Sequence, residues 1–271
     1  MAQIDLKEAT IKIFDGTLGE ATLDSTPPDS DLTLTAKSKH IGSDKISVVL
    51  ADPGSASAAL SVAVSGRKIT VTLATSTASA ITSTAAQVKT AIEASTAANA
   101  LVTVALETAG TGVVEAIAET TLDGQNSIEV KIGEGNATYS EHKNREFTRD
   151  RGTLSSVRNA DEEPLDLSID AMWEYIKGLS GGTPTLEDVF KMEGEAAAWV
   201  TTADDSCQPY CVDVEIWNAP GCTAVEDEIT YFEEFYYESL DHDLREGTIS
   251  VSGRCNRTVA TSRRVLNAEI G

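Results

Sequence analysis

The sequence predicts a mainly β fold: an antiparallel β-sandwich or barrel with a flanking helix, plus an inserted small α+β domain of ββββαβ-like order. Three observations carry this reading. Apolar residues recur with period two along most of the chain. A helical period replaces it in the middle, at Thr84–Ser95. All 14 aromatic residues lie outside residues 29–124, so one long window is built without a ring.

Taken in order, Ala9–Phe14 alternates and ends on the turn signal Asp15-Gly16. Thr26-Pro27-Pro28-Asp29 then punctuates the chain. Inside the window, Leu32/Leu34, Ile46/Val48/Leu50, Leu60/Val62/Val64 and Ile69/Val71/Leu73 read as half-buried strands. Thr84 is placed to cap a helix that carries Ala85, Val88 and Ile92 on one face. Leu101–Leu106 returns to strand, and Leu122–Asn126 closes the window with a turn. Ser127–Ile132 alternates again and becomes the sequence neighbour of Ala9–Phe14 once the window is removed. Residues 29–124 therefore read as an insertion into a hairpin of a β domain made from residues 1–28 and 125–271. Three more strands are expected at Pro164–Met172, Cys211–Asn218 and Gly247–Cys255, with a helix over Pro184–Met192 whose early acids suit the positive end of the dipole.

The 271 residues carry 43 acids and 21 bases, a formal charge of −22. Such a chain does not grip nucleic acid through phosphate neutralisation, which needs a basic face. No run approaches the roughly 18 apolar residues of a spanning helix, and the start has no signal-peptide pattern, so no membrane partner and cytoplasmic synthesis are expected. The window is nearly balanced, with nine acids and six bases, whereas residues 125–271 hold 29 acids and 13 bases.

Enzyme chemistry has no motif to rest on. His40, His142 and His242 stand in separate segments, and Asp241-His242-Asp243 reads as a solvated turn because no nucleophile motif accompanies it. No phosphate-binding glycine loop occurs, and no cofactor is expected. Cys207, Cys211, Cys222 and Cys255 leave three options open: reduced and mostly buried thiols, disulfides, or a metal site, for which the first spacing is one residue longer than CxxC. The acids within strands are more informative. Asp166, Ser168 and Asp170 share one strand face, as do Asp213 and Glu215, and Thr248, Ser250 and Ser252. These three strands are expected to present one wet, polar, negative face.

Ile128-Glu-Val-Lys-Ile-Gly-Glu-Gly135 is followed by Arg145-Glu-Phe-Thr-Arg-Asp-Arg-Gly152, by Arg158-Asn-Ala-Asp-Glu-Glu-Pro-Leu-Asp-Leu-Ser168 and by Met172-Trp-Glu-Tyr-Ile176. Gly247-Thr-Ile-Ser-Val-Ser-Gly-Arg-Cys-Asn256 lies near the end. In this order the segments resemble the major tail (tail tube) proteins of long-tailed bacteriophages. The resemblance covers residues 1–28 and 125–271, about two thirds of the chain. It implies a structural virion protein, not an enzyme, that forms hexameric rings stacked into a hollow tail tube. Neighbouring subunits would continue each other's sheets, and the tube would conduct DNA during ejection. Partners would be the chain itself, other tail proteins such as the tape measure and the tail terminator, and transiting DNA without specific binding. A virion or cell-surface binding module, with residues 29–124 as the ligand-recognising part, is the competing class.

If the resemblance holds, Asp166, Ser168, Asp170, Asp213, Glu215, Thr248, Ser250 and Ser252 are the candidates to face the lumen, where a negative or neutral wall keeps DNA moving. The inserted module must then point outward, which favours a noncontractile tail. Arg145, Arg149, Arg151 and Arg158 lie in a segment of low apolar content, expected to reach the next subunit or ring through Arg–carboxylate pairs; a solvated loop is the alternative. Charge reversal at Arg149 or Arg151 should therefore impair polymerisation, as seen by electron microscopy, and normal tubes from those variants would contradict the role.

Overall fold

Alternating β-branched and apolar residues dominate the chain, and the computed structural model is accordingly mainly β, with 48% strand against 12% helix. It describes residues 10–39, 46–131, 136–150, 153–172, 184–205, 207–218, 227–243, 245 and 247–265. In chain order, β1 (Thr10–Phe14), β2 (Glu20–Leu23), β3 (Leu32–Ala36), β4 (Ser47–Ala51), β5 (Ser61–Ser65) and β6 (Lys68–Thr72) precede α1 (Ala85–Ala94) and α2 (Thr96–Leu101). Then come β7 (Val102–Leu106), β8 (Ile117–Thr121), β9 (Ser127–Lys131), β10 (Asn136–Ser140), β11 (Arg145–Asp150), β12 (Thr153–Asn159) and β13 (Leu165–Met172). The chain continues through α3 (Leu186–Lys191), β14 (Val212–Asn218), β15 (Asp227–Asp243), β16 (Thr248–Cys255) and β17 (Thr261–Val265).

Two compact units result, one from Met1–Gly16 with Asn126–Val265 and one built on Thr17–Gln125. The front division thus falls at Gly16, ahead of the expected border at residue 28. The reason is β2, which pairs antiparallel with β3 and places Ala21 opposite Leu34 and Leu23 opposite Leu32.

The first unit is an eight-stranded sheet in the order β10-β13-β16-β15-β14-β1-β9, with β17 added beside β15. All its pairs are antiparallel, including β1 with β9, where Ile11 faces Val130 and Ile13 faces Ile128. Strand β15 spans 17 residues and joins the two halves. Its first part pairs with β14 and β17, and its last part pairs with β16. Ile11 and Ile13 from one half share a core with Leu165, Leu167 and Ile169 from the other, so the sheet coils over itself as twisted sheets do. Helix α3 closes this core with Phe190, whose ring meets Phe235 edge-on at 5.8 Å. It starts at a capping box in which Thr185 and Asp188 satisfy each other's backbone N–H.

The second unit holds a three-stranded sheet, β2-β3-β7, and a four-stranded one, β5-β6-β4-β8, in which β4 and β6 run parallel. Helix α1 begins at a Thr84–Gln87 capping box and buries Ala85, Val88 and Ile92. Only aliphatic side chains fill the core, among them Leu32, Leu34, Val48, Ile69, Val71 and Val104. Thin side chains let the two layers and the helix approach without an aromatic filler.

Asp29 fastens this unit. It adopts a left-handed conformation, with φ of 63°. Its carboxylate accepts from the hydroxyls of Thr108 and Thr111 and from the N–H groups of Gly110 and Thr111, the latter two at 2.9 and 2.8 Å. The Thr108 hydroxyl foremost, then Thr111, hold the carboxyl well below the usual carboxylate range. Because the folded value is lowered, the clasp contributes fully above about pH 4 and fades as pH falls through the folded value. Asp29→Ala should lower the thermal midpoint of the chain at pH 7 and flatten its acid dependence below pH 4, read by melting curves across pH.

Candidate functional site

Strands β13 and β16 read as written in the sequence, with Leu165, Leu167, Ile169 and Ala171 buried on one side. The other side carries the polar set in register: Asp166 opposite Arg254, Ser168 opposite Ser252, Asp170 opposite Ser250, and Met172 opposite Thr248. Edge strand β10 extends these rows with Ser140, Thr138 and Asn136, and β15 extends them with Ser239, Asp241 and Asp243. Six of the eight lumen candidates, Asp166, Ser168, Asp170, Thr248, Ser250 and Ser252, are thereby brought onto one half-buried polar face. Ser239 and Ser252 hydroxyls meet at 2.8 Å along its middle row. At one end, Arg254 Nε lies 3.0 Å from Asp166 and 3.7 Å from Glu238, and His142 Nε2 lies 3.2 Å from Asp166. Asp166, Glu238 and Arg254, with Thr138, Ser140, Ser168 and Ser252, line a groove of about 300 Å³.

Asp213 and Glu215 do not belong to that face, which corrects the expectation drawn from their alternation. They are only 2% and 0% exposed, because β14 is covered on both sides. Val212 and Val214 enter the core, while Glu215 lies between Lys12 of β1 and Tyr231 of β15 in the register. Asp213 accepts from the Tyr231 hydroxyl and, at 2.8 Å, from the Glu234 N–H. Burial, then the negative Asp213, drives the Tyr231 phenol far above its ordinary range, so it stays a donor. A buried carboxylate is tolerated when it is supplied with donors in this way.

Glu234 is the hinge of this region. Strand β15 bulges opposite Val212 and Val214, and Glu234 takes a left-handed φ of 51° while almost fully buried. Its carbonyl accepts from Asn256 N–H at 3.1 Å and its carboxylate from Asn256 Nδ2 at 2.7 Å. Arg257 bridges Glu233, Asp204 at 3.2 Å and Glu234 at 3.5 Å. A second irregularity, between Tyr237 and Ser239, brings the backbone against Gly253. A methyl group there would lie 2.1 Å from the Tyr236 carbonyl oxygen, so only glycine fits.

The arginine-rich segment is a hairpin rather than a plain extended stretch. β11 and β12 form a separate two-stranded sheet carrying Arg145, Arg149 and Arg158, all exposed. Phe147 and Val157 face each other on it and are 56% and 53% exposed. Arg145, Phe147 and Arg149 alternate onto one side of β11. Arg151 lies outside the described residues.

The three described cysteines, exposed Cys207 and buried Cys211 and Cys255, are free thiols. Phe235 of β15 pairs with both Val212 and Cys255, so Cys211 and Cys255 sit about two strand spacings apart, roughly 9–10 Å, beyond disulfide reach. Burial pushes the Cys255 thiol up to about 12, which leaves it unreactive. Cys222 and His40 lie outside the described residues, and among the described ones no three His, Cys, Asp or Glu side chains could hold a metal ion. Asp241-His242-Asp243 forms the end of β15 rather than a turn, with His242 Nε2 3.5 Å from Glu187. Tyr231→Phe, which removes one donor from buried Asp213, should cost about 1–3 kcal/mol in denaturant unfolding.

Comparison of the chain with protein-family models, with curated proteins and with solved structures finds no match in any of the three.

Proposed function

We propose that the chain is a structural subunit that self-assembles into the hexameric rings of a bacteriophage tail tube, and that the bore of the tube lets DNA pass. The observation that carries this reading is the sheet of the first unit, whose path ends on two edges, β9 and β10, without a further partner among the described residues. An open edge is a template for another chain, and natural proteins leave one exposed only at a hazard. Pairing β9 of one copy with β10 of the next removes both edges and yields a closed ring of sheets.

The polar face supports the same reading. Asp170, Ser168, Ser250, Ser252 and Thr248 lie on β13 and β16 beside edge strand β10, so ring closure would join their rows into a continuous wall. Hydroxyls and carboxylates there offer DNA no cationic hold, since duplex DNA presents one negative charge per roughly 1.7 Å of axis. Asp166 stands at the end of that wall, matched to Arg254. The second unit, inserted between β1 and β9, is an outward appendage in this reading, and the tail is noncontractile. Tape measure and terminator proteins are the further partners it implies.

Purified protein viewed by negative-stain electron microscopy at increasing concentration should show rings or tubes, with the Ser168–Ser252 face lining the bore in a helical reconstruction. Monodisperse monomers at all concentrations, or a basic bore, would contradict the proposal.

A further inference from the structure

We propose that the four-stranded sheet of the second unit pairs with a second copy of this chain, β5 against β5, in antiparallel register about Ala63. The inference goes beyond the assembly reading above and stands without it, because it concerns the inserted unit and a two-fold contact.

Strand β5 ends its sheet, and no other described strand pairs with its outer side. It meets β6 through the two-residue loop Gly66-Arg67, with Ser65 opposite Lys68. Such a loop closes on a hydrogen-bonded pair, so Ser65, Ala63 and Ser61 turn their N–H and C=O groups toward β6. Val62 and Val64 turn theirs outward, and no turn or loop bond among the described residues takes them up. Natural sheets blunt an open edge with charge or a bulge. The opposite edge does so: β8 has a register shift opposite Val48 and Leu50 and carries Glu119 in an ion pair with Lys68. Strand β5 has neither, and no charged residue stands between Asp52 and Arg67.

What fits this edge is the strand itself. Ser61-Val-Ala-Val-Ser65 reads the same in both directions. Laid antiparallel on a second copy about Ala63, Val62 meets the partner's Val64 and Val64 meets the partner's Val62, each pair exchanging both of its N–H···O bonds. Ala63 then lies across the two-fold axis from its own copy, in a non-hydrogen-bonded pair, and Ser61 faces the partner's Ser65. On the inner side, Val62 and Val64 pack against the core but are only half-buried, so pairing covers more of each. On the outer side, Ser61, Ala63 and Ser65 are exposed, small and uncharged, so nothing on the strand repels its copy.

Symmetry sets this contact apart from the proposed ring. Pairing β9 with β10 of the next copy is heterologous, so all copies in one tube point the same way. Pairing β5 with β5 is isologous and needs copies that point oppositely, as free subunits or subunits of two different tubes do. The joined sheet runs β8-β4-β6-β5 in one copy and continues in reverse order through the other. One short strand from each copy covers little surface, so the pairing is weak and depends on concentration.

Substitutions at the two-fold position of the full chain test this. Across a non-hydrogen-bonded pair with Cα atoms about 4.5 Å apart, mild oxidation of Ala63→Cys should link two copies at position 63, read by peptide mapping. Thr70→Cys, one strand further from the axis, should give no such link. Ala63→Lys and Ala63→Glu alter an exposed position, so each should fold, yet each sets like charges opposite one another and should weaken pairing about tenfold in sedimentation. An equimolar mixture of the two should pair at least as well as the wild type. Linkage at position 63 with this charge pattern upholds the contact whether or not rings form, so failure of the tube would leave it intact. Rings or tubes without linkage at position 63 would overturn it while the tube reading stands. Single charge variants that associate as the wild type does, or a mixture no better than either variant alone, overturn it equally. Wild-type protein that stays monomeric at every concentration would refute both.

Discussion

The first unit depends on the bend in β15 at Glu234. One strand of 17 residues has to serve two half-sheets, and a regular strand of that length would leave them too far apart to share a core. The bulge at Glu234 turns the strand, at a backbone cost of about 1–2 kcal/mol for a left-handed residue with a Cβ. Hydrogen bonds from Asn256, a bond to Asp213 and the Arg257 bridge hold it there. Hydrogen bonds to charged groups contribute about 1.5–3 kcal/mol each, so two such bonds already exceed the strain. Gly253 follows from the same constraint, since the second irregularity of β15 presses its backbone against that residue.

The distribution of acid follows from this geometry. Bending β15 covers the reverse side of β14, which buries Asp213 and Glu215 and forces each to be matched by Tyr231, the Glu234 N–H or the Lys12 position. The acids left on β13 remain half-buried at the surface, Asp170 in a row with the Ser250 hydroxyl and Asp166 beside Arg254 and His142. Negative charge therefore serves two separate ends in one unit, as internal fastening in β14 and as a surface in β13.

Much of this was legible in the residues. Strict alternation with small polar partners placed β13 and β16 and the shared face of Asp166, Ser168 and Asp170, because a strand with one wet side leaves period two undisturbed. Thr84 announced its helix by capping chemistry, and the early acids Glu187 and Asp188 announced the helix over Pro184–Met192. The failures have local causes. In β15 the two irregularities shift the alternation, and its many acids and aromatics fit no single period. Asp213 and Glu215 looked solvated because alternation says which residues share a side, not whether that side is wet; the lone Lys12 within Thr10-Ile-Lys-Ile-Phe14 was the signal that their side needed a counter-charge. The arm between Arg145 and Asn159 was hidden by its charge, having few apolar residues to mark a strand. Residues 17–28 were grouped with the first unit, and β2 within them was not read as a strand, because Pro27-Pro28 is a stronger punctuation than Gly16, although the chain passes to the second unit after Gly16.

The central claim is that the open ends of this sheet are where copies meet. Amide hydrogen exchange of the full chain, compared between dilute and concentrated protein, tests it most directly. The account predicts slowed exchange in Ser127–Lys131 and Asn136–Ser140, the two edge strands, with the β11–β12 arm following. Unchanged exchange at both edges, with protection appearing instead on the second unit, would contradict it.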